Sequence, residues 1–128
     1  MVYDIGIMKT PDNQTVENNQ AQLRKGTLEF CILLIIGRGQ AYASDILKEL
    51  KAANLIVVEG TLYPLLSRLK ASELLKYSWT ESASGPPRKY YALTDKGVET
   101  VKNLTTSWNA LNESINHLIK SYEQDNQH

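Results

Sequence analysis

Several side chains in this 128-residue sequence are of types that do chemistry beyond packing. Thr61, Tyr63, Ser67, Arg68 and Lys70 fall within one apolar-periodic segment, a spacing that lines hydroxyls and cations along the exposed side of a helix. Arg88 and Lys89 follow Gly85-Pro86-Pro87, so two cations stand just beyond a turn. Tyr42 and Ser44 lie at the start of another helical segment. This mixture suits a polyanion: cations displace the counterions of phosphate, and hydroxyls donate to its oxygens. Trp108 offers a flat ring able to stack on another ring.

Other chemistries lack their residues. His117 and His128 are the only histidines and Cys31 the only cysteine, too few for a metal-ligand cluster. No Gly-rich phosphate loop opens a helix and no Ser/His/Asp set is apparent, so no enzyme, metal or cofactor is expected. Cys31 lies in the apolar run 30–36, where a buried thiol is inert. That run of seven is far short of the ~20 residues that span a bilayer. With no signal-peptide pattern and a single thiol, a cytoplasmic chain without a membrane partner is expected.

The length argues for one domain, and 42% hydrophobic with 22% charged residues is ordinary globular usage. Basic and acidic residues balance at 14 each, which by itself leans away from nucleic acid. The distribution leans back. Residues 21–93 carry ten Lys/Arg and six Asp/Glu, a net of +4, whereas residues 1–20 and 94–128 each carry a net of −2.

The elements that must position these residues follow from periodicity. Residues 1–20 read as an N-terminal tail or arm, polar after an apolar start at 1–8. A first helix is expected over 22–37, apolar on nearly every side and so buried all round, ending at Gly37-Arg38-Gly39. A second runs from Ala43 or Ser44 to Ala52 with Ile46, Leu47 and Leu50 on one face. A third spans 59–72, with Leu62, Leu65, Leu66 and Leu69 inward. Pro64 is tolerated only in a first turn, which moves its effective start to Gly60 or Thr61 and puts Thr61 near the N-cap. Alternating Leu75, Tyr77 and Trp79, turn chemistry over 82–87 and a return over 88–93 form a hairpin.

Thr94 caps a last helix over 95–123. Its apolar residues Val101, Leu104, Trp108, Leu111, Ile115, Leu118 and Tyr122 alternate three and four apart, the seam of a coiled coil. At 1.5 Å per residue it would be roughly 43 Å long, longer than the rest of the chain is wide. Self-association is the economical way to cover it, with part of the first helix joining the interface.

Three helices followed by a basic hairpin is the plan of a winged helix-turn-helix, mostly α with a small β wing. Its third helix enters the DNA major groove and its wing touches the adjacent backbone. Such folds also serve as protein-interaction modules that dimerise without reading DNA, and the pattern alone leaves both readings open.

Two longer motifs are more specific. Glu59-Gly60-Thr61-Leu62-Tyr63-Pro64-Leu65-Leu66-Ser67-Arg68-Leu69 resembles the recognition-helix signature of the PadR family of transcriptional regulators. Gly85-Pro86-Pro87-Arg88-Lys89-Tyr90-Tyr91-Ala92-Leu93-Thr94-Asp95-Lys96-Gly97 resembles its wing and the start of its last helix. The likeness extends over residues 23–122, and the single C-terminal helix is similar to the family's small-effector-domain branch. It departs at Glu73, where a Gly usually ends the third helix, and at Gln40-Ala41-Tyr42-Ala43, where a Gly-Tyr-Gly-like turn is usual.

The resemblance implies a homodimeric regulator, often a repressor, bound to a pseudo-palindromic double-stranded DNA operator. By position it makes Thr61 and Tyr63 phosphate or groove contacts, Arg88 and Lys89 the wing cations, Tyr42 and Ser44 backbone contacts, Pro64 a shape contact, and Ser67 part of the polar face. Arg68 either reaches DNA or pairs with Glu73 or another acid. Ser107-Trp108 matches a placement at which relatives that sense planar drugs stack a ligand between two indoles. Trp108, with Leu111 and Asn112 nearby, then either holds a planar aromatic molecule or fills the dimer core. The expected organisation is an arm over 1–20, a winged helix-turn-helix over 21–93, a dimerisation helix over 94–123 and a disordered tail over 124–128.

Overall fold

The computed structural model describes residues 13–126 apart from Lys25, so the apolar start at 1–8 and the last two residues lie outside the described residues. The chain runs α1 (Asn13–Leu23), α2 (Leu28–Gly37), α3 (Ala43–Ala52), α4 (Glu59–Ala71), β1 (Leu75–Ser82), β2 (Gly85–Leu93) and α5 (Asp95–Asp125).

The expected single helix over 22–37 is two helices. Gly26 and β-branched Thr27 are poor helix formers, and the Thr27 hydroxyl donates to the Arg24 carbonyl at 3.0 Å, which ends α1 there. α1 itself replaces part of the expected polar arm. Its few apolar residues, Val16 and Leu23, are exposed, so no apolar stripe marked it.

α2 buries Ile32, Leu33 and Ile36 against Ile46 and Leu50 of α3 and Leu62, Leu66 and Leu69 of α4. These spacings of three and four give each helix one inward stripe. α2 is not buried all round as expected: Leu34 is 40% exposed, and Leu28, Phe30, Cys31 and Ile35 are only half-buried.

α4 begins at Glu59 after Val58 in extended conformation, so Thr61 is its third residue and not its cap. Pro64 therefore sits inside the helix, and the Gly60 carbonyl lacks the donor that a residue with an N–H would supply. The helix ends at a left-handed residue, but not a glycine. Glu73 has φ 65°, and the Leu74 N–H closes the turn onto the Leu69 carbonyl at 3.0 Å. Asn54 caps α3 in the same way with φ 62°. Since the Glu73 side chain makes no hydrogen bond or ion pair among the described residues and glycine adopts this conformation without the Cβ penalty, Glu73→Gly is expected to stabilise the chain by about 0.5–1 kcal/mol. Thermal unfolding followed by circular dichroism reads this as a midpoint a few degrees higher.

The hairpin pairs Leu75 with Leu93, Tyr77 with Tyr91 and Trp79 with Lys89. Its turn is shorter than the expected 82–87, because Gly85, Pro86 and Pro87 already belong to β2. A two-stranded ribbon is all edge, and the two prolines fall where the register shifts, between Thr80 and Ser82 on the opposite strand. Ala41, just before α3, adds a stub of third strand: its N–H donates to the Tyr91 carbonyl at 3.0 Å, and its carbonyl accepts from the Tyr91 N–H at 2.8 Å. This stub ties the wing to the start of α3.

Thr94 caps α5, its hydroxyl accepting from the Gly97 N–H at 3.0 Å and donating to the Glu73 carbonyl at 2.6 Å. Gly97 is where α5 crosses the end of α4: a Cβ there would lie 2.2 Å from the Leu74 carbonyl oxygen. The helix then runs on to Asp125, past the expected end at 123 and into the segment expected to be a disordered tail. Val101 packs against the core, but Leu104, Trp108, Leu111, Ile115, Leu118 and Tyr122 are all exposed.

Candidate nucleic-acid interface

α4 presents one face outward. With Leu62, Leu66 and Leu69 inward at 100° per residue, the outermost ridge is Gly60, Pro64, Ser67 and Ala71, all exposed. Small residues along this ridge let the helix backbone approach a groove floor. Tyr63 and Lys70 flank the ridge on the wing side, and Thr61 and Arg68 flank it on the other.

On the wing side, five residues singled out in the sequence come together. Tyr42, Ser44, Tyr63, Arg88 and Lys89 line one cavity of about 300 Å³, with Trp79, Pro87 and Glu59. The Arg88 guanidinium lies 3.9 Å from the centre of the Tyr42 ring and donates to the Ser44 hydroxyl at 2.6 Å. Tyr42 stacks in turn on Tyr90, centroids 4.7 Å apart. The guanidinium is thus held by its face and one donor, which leaves its other N–H groups for a phosphate. Tyr42 is placed by backbone, its N–H donating to Asp45 Oδ2 at 3.0 Å.

Lys89 is held similarly, its ammonium 4.5 Å from the Tyr77 centroid and 5.4 Å from that of Trp79; Lys70 lies 5.2 Å from the Tyr77 centroid. Aromatic rings hold these cations without neutralising them. Among the described residues Arg88, Lys89 and Lys70 form no ion pair, whereas Arg38 pairs with Glu49 at 3.0 Å and Arg68 with Glu29 of α2. Arg68 therefore takes an acid, but not Glu73. At 64% side-chain exposure that pair is weak and opens at little cost. Tyr91, buried beneath, has its phenol pKa pushed up chiefly by burial, with Tyr63 and Tyr77 adding to it, so it remains neutral.

Sequence reasoning does not find Tyr77, Trp79 and Tyr90 as parts of this surface. The alternation of aromatic and basic residues over 76–79 and 88–91 is the available signal.

A second concavity, about 670 Å³, lies among α1, α2, α5 and the turn after α3. Phe30, Cys31, Leu34, Leu23, Leu55 and Trp108 make it mainly apolar, and Arg24 and Gln20 also line it. Trp108 is 43% exposed and lines this space. Leu111 and Asn112 do not line it; Asn112 instead accepts from Asn116 at 3.4 Å. Burial pushes the Cys31 thiol above its ordinary pKa, which keeps it protonated. Among the described residues no His/Cys/Asp/Glu cluster could hold a metal, and no helix is long and apolar enough to cross a membrane.

The sequence model of the transcriptional regulator PadR-like family matches residues 32–103. Among solved structures, the chain is similar to a PadR-like transcription factor from Bacteroides fragilis, at 58% identity over 79% of this chain and 98% of that one, TM-score 0.68. It is similar to a PadR-like transcriptional regulator from Bacillus cereus at 38% identity, over 77% of this chain and 96% of that one, TM-score 0.68. A PadR family transcriptional regulator from Eggerthella lenta matches at 32% identity, over 84% of this chain and 94% of that one, TM-score 0.75.

Proposed function

The chain belongs to the PadR-like family of DNA-binding transcriptional regulators, not to an enzyme family, and on that premise we propose that it acts as a cytoplasmic homodimeric repressor released by a small planar aromatic ligand. Two copies join through α5 and the open side of α2, covering Leu104, Trp108, Leu111, Ile115, Leu118 and Tyr122. Each copy lays α4 in the major groove, with Thr61, Tyr63, Pro64, Ser67 and Arg68 on the DNA side and Arg88, Lys89, Tyr42 and Ser44 on the flanking backbone. The half-sites of a pseudo-palindromic operator are about 34 Å apart or a little more.

The observation that carries the DNA contact is the Arg88 guanidinium held between Tyr42 and Ser44 beside an exposed α4. A duplex enriched from a random-sequence pool by the wild-type chain tests it. Binding is expected to fall steeply between two salt concentrations, since each phosphate contact releases counterions. A chain that enriches no sequence contradicts the reading.

The ligand reading is supported by the apolar cavity beside Trp108, large enough for a small aromatic molecule. Release requires that the ligand bind one dimer arrangement better than another, changing the separation of the two α4 helices. Titration with a panel of planar aromatics is expected to quench the emission of a Trp79→Phe chain, whose one tryptophan is Trp108, and to weaken duplex binding by the wild type. Quenching without weaker binding, or no quenching at all, contradicts a releasing ligand at this place.

A further inference from the structure

We infer that Trp79 is a DNA-contacting residue of the wing, its indole packing on the deoxyribose of the backbone strand that Arg88 and Lys89 neutralise; this rests on the DNA-binding reading above. Alternation along β1 puts Leu75, Tyr77 and Trp79 on one face. Leu75 is buried, Tyr77 half-buried and Trp79 62% exposed, so this face leaves the core as the strand runs out.

The indole is uncovered but not loose. The Tyr77 ring meets it edge-on, 5.9 Å between centroids at 85°, and Lys89, its partner across the hairpin, holds an ammonium 5.4 Å from its centre. It also lines the cavity shared by Tyr42, Ser44, Tyr63, Arg88 and Lys89. An apolar plate therefore lies within a surface of cations and hydroxyls, with the Glu59 carboxylate at the start of α4 also on its lining. A DNA strand alternates phosphates with sugars in just this way: the phosphates take the cations and hydroxyls, and the C–H face of the sugar between them takes an apolar surface. A simple anion, or a uniformly polar partner, would leave the indole unused.

The test uses the full chain and a duplex enriched from a random pool by the wild type. Trp79→Ala is expected to weaken binding about ten-fold at two salt concentrations alike, because it removes an apolar contact and no charge, and Trp79→Phe to recover most of the loss. The chain has two tryptophans, so Trp79→Phe leaves Trp108 alone. The emission change that the duplex causes in the wild type is expected to be missing in Trp79→Phe. Far-ultraviolet circular dichroism through a thermal melt checks that both variants fold. A folded Trp79→Ala chain that binds as tightly as the wild type overturns the contact. So does a weakening that comes with a shallower salt dependence, which would mean that the indole serves only to hold Lys89. If the wild type enriches no duplex, the regulator reading itself fails and takes this contact with it.

Discussion

A chain carrying Leu111→Asp and Leu118→Asp is expected to sediment as a monomer at concentrations where the wild type is a dimer, and to bind the operator duplex at least 100-fold more weakly. In the single chain these side chains are 53% and 66% exposed, so the substitutions should leave the fold of each copy intact. In the proposed dimer they lie on the seam, and four carboxylates would have to leave water together, each at a cost of several kcal/mol. The weaker DNA affinity follows from geometry. Two linked α4 helices bind two half-sites with an effective concentration that separate monomers lack, a gain of about 10²–10⁴. Sedimentation velocity and a melt on the same sample separate the two effects. A variant that remains dimeric would place the interface elsewhere, and one that unfolds would show that α5 contributes to the core beyond Val101.

Arg88→Ala is expected to weaken duplex binding by roughly 10–100-fold per dimer, because each copy then lacks one charge-assisted hydrogen bond to phosphate. Its signature is the salt dependence. The slope of log affinity against log salt should become shallower by about 0.9 for each phosphate no longer neutralised, close to two units if this happens in both copies. Folding stability should hardly change, because the guanidinium is exposed and Tyr42 stays placed by its Asp45 hydrogen bond and its contact with the Tyr90 ring. Arg68→Ala supplies the contrast. Arg68 is engaged by Glu29 and stands on the far side of α4 from the wing, so its removal should cost less affinity. Equal effects for the two variants would contradict the assignment of Arg88 as the organised phosphate contact.

The architecture was legible wherever one rule acted alone. The stripes of α3 and α4, the alternation of β1, the Thr94 cap and the exposed three-four apolar row of α5 each follow from a single periodicity or one hydrogen bond. Legibility failed where two effects competed. Pro64 argued for a helix starting at Gly60 or Thr61, but α4 begins at Glu59 and runs across the missing hydrogen bond, with Leu62, Leu66 and Leu69 packed inward. Glu73 lacks the glycine that usually marks a stop, yet the docking of Leu74 and Thr94 behind it holds it in the left-handed conformation. The apolar run of α2 read as buried on every side because one chain was asked to bury it; Leu34 and Phe30 instead open on the cavity with Trp108. At the site, residue types revealed the cations, but their engagement did not follow from type. Arg68 and Arg88 look alike in the sequence, and only the fold sets one beside Glu29 and the other over Tyr42.

If two copies place two α4 helices in successive major grooves, the DNA itself records it. Hydroxyl-radical footprinting of the enriched duplex, on a complex whose mass is measured in parallel, reads this most directly. Two chains per duplex are expected, with two protected patches related by a two-fold axis, their centres about 10 base pairs or a little more apart. One protected patch, or a complex holding a single chain, would contradict the paired arrangement.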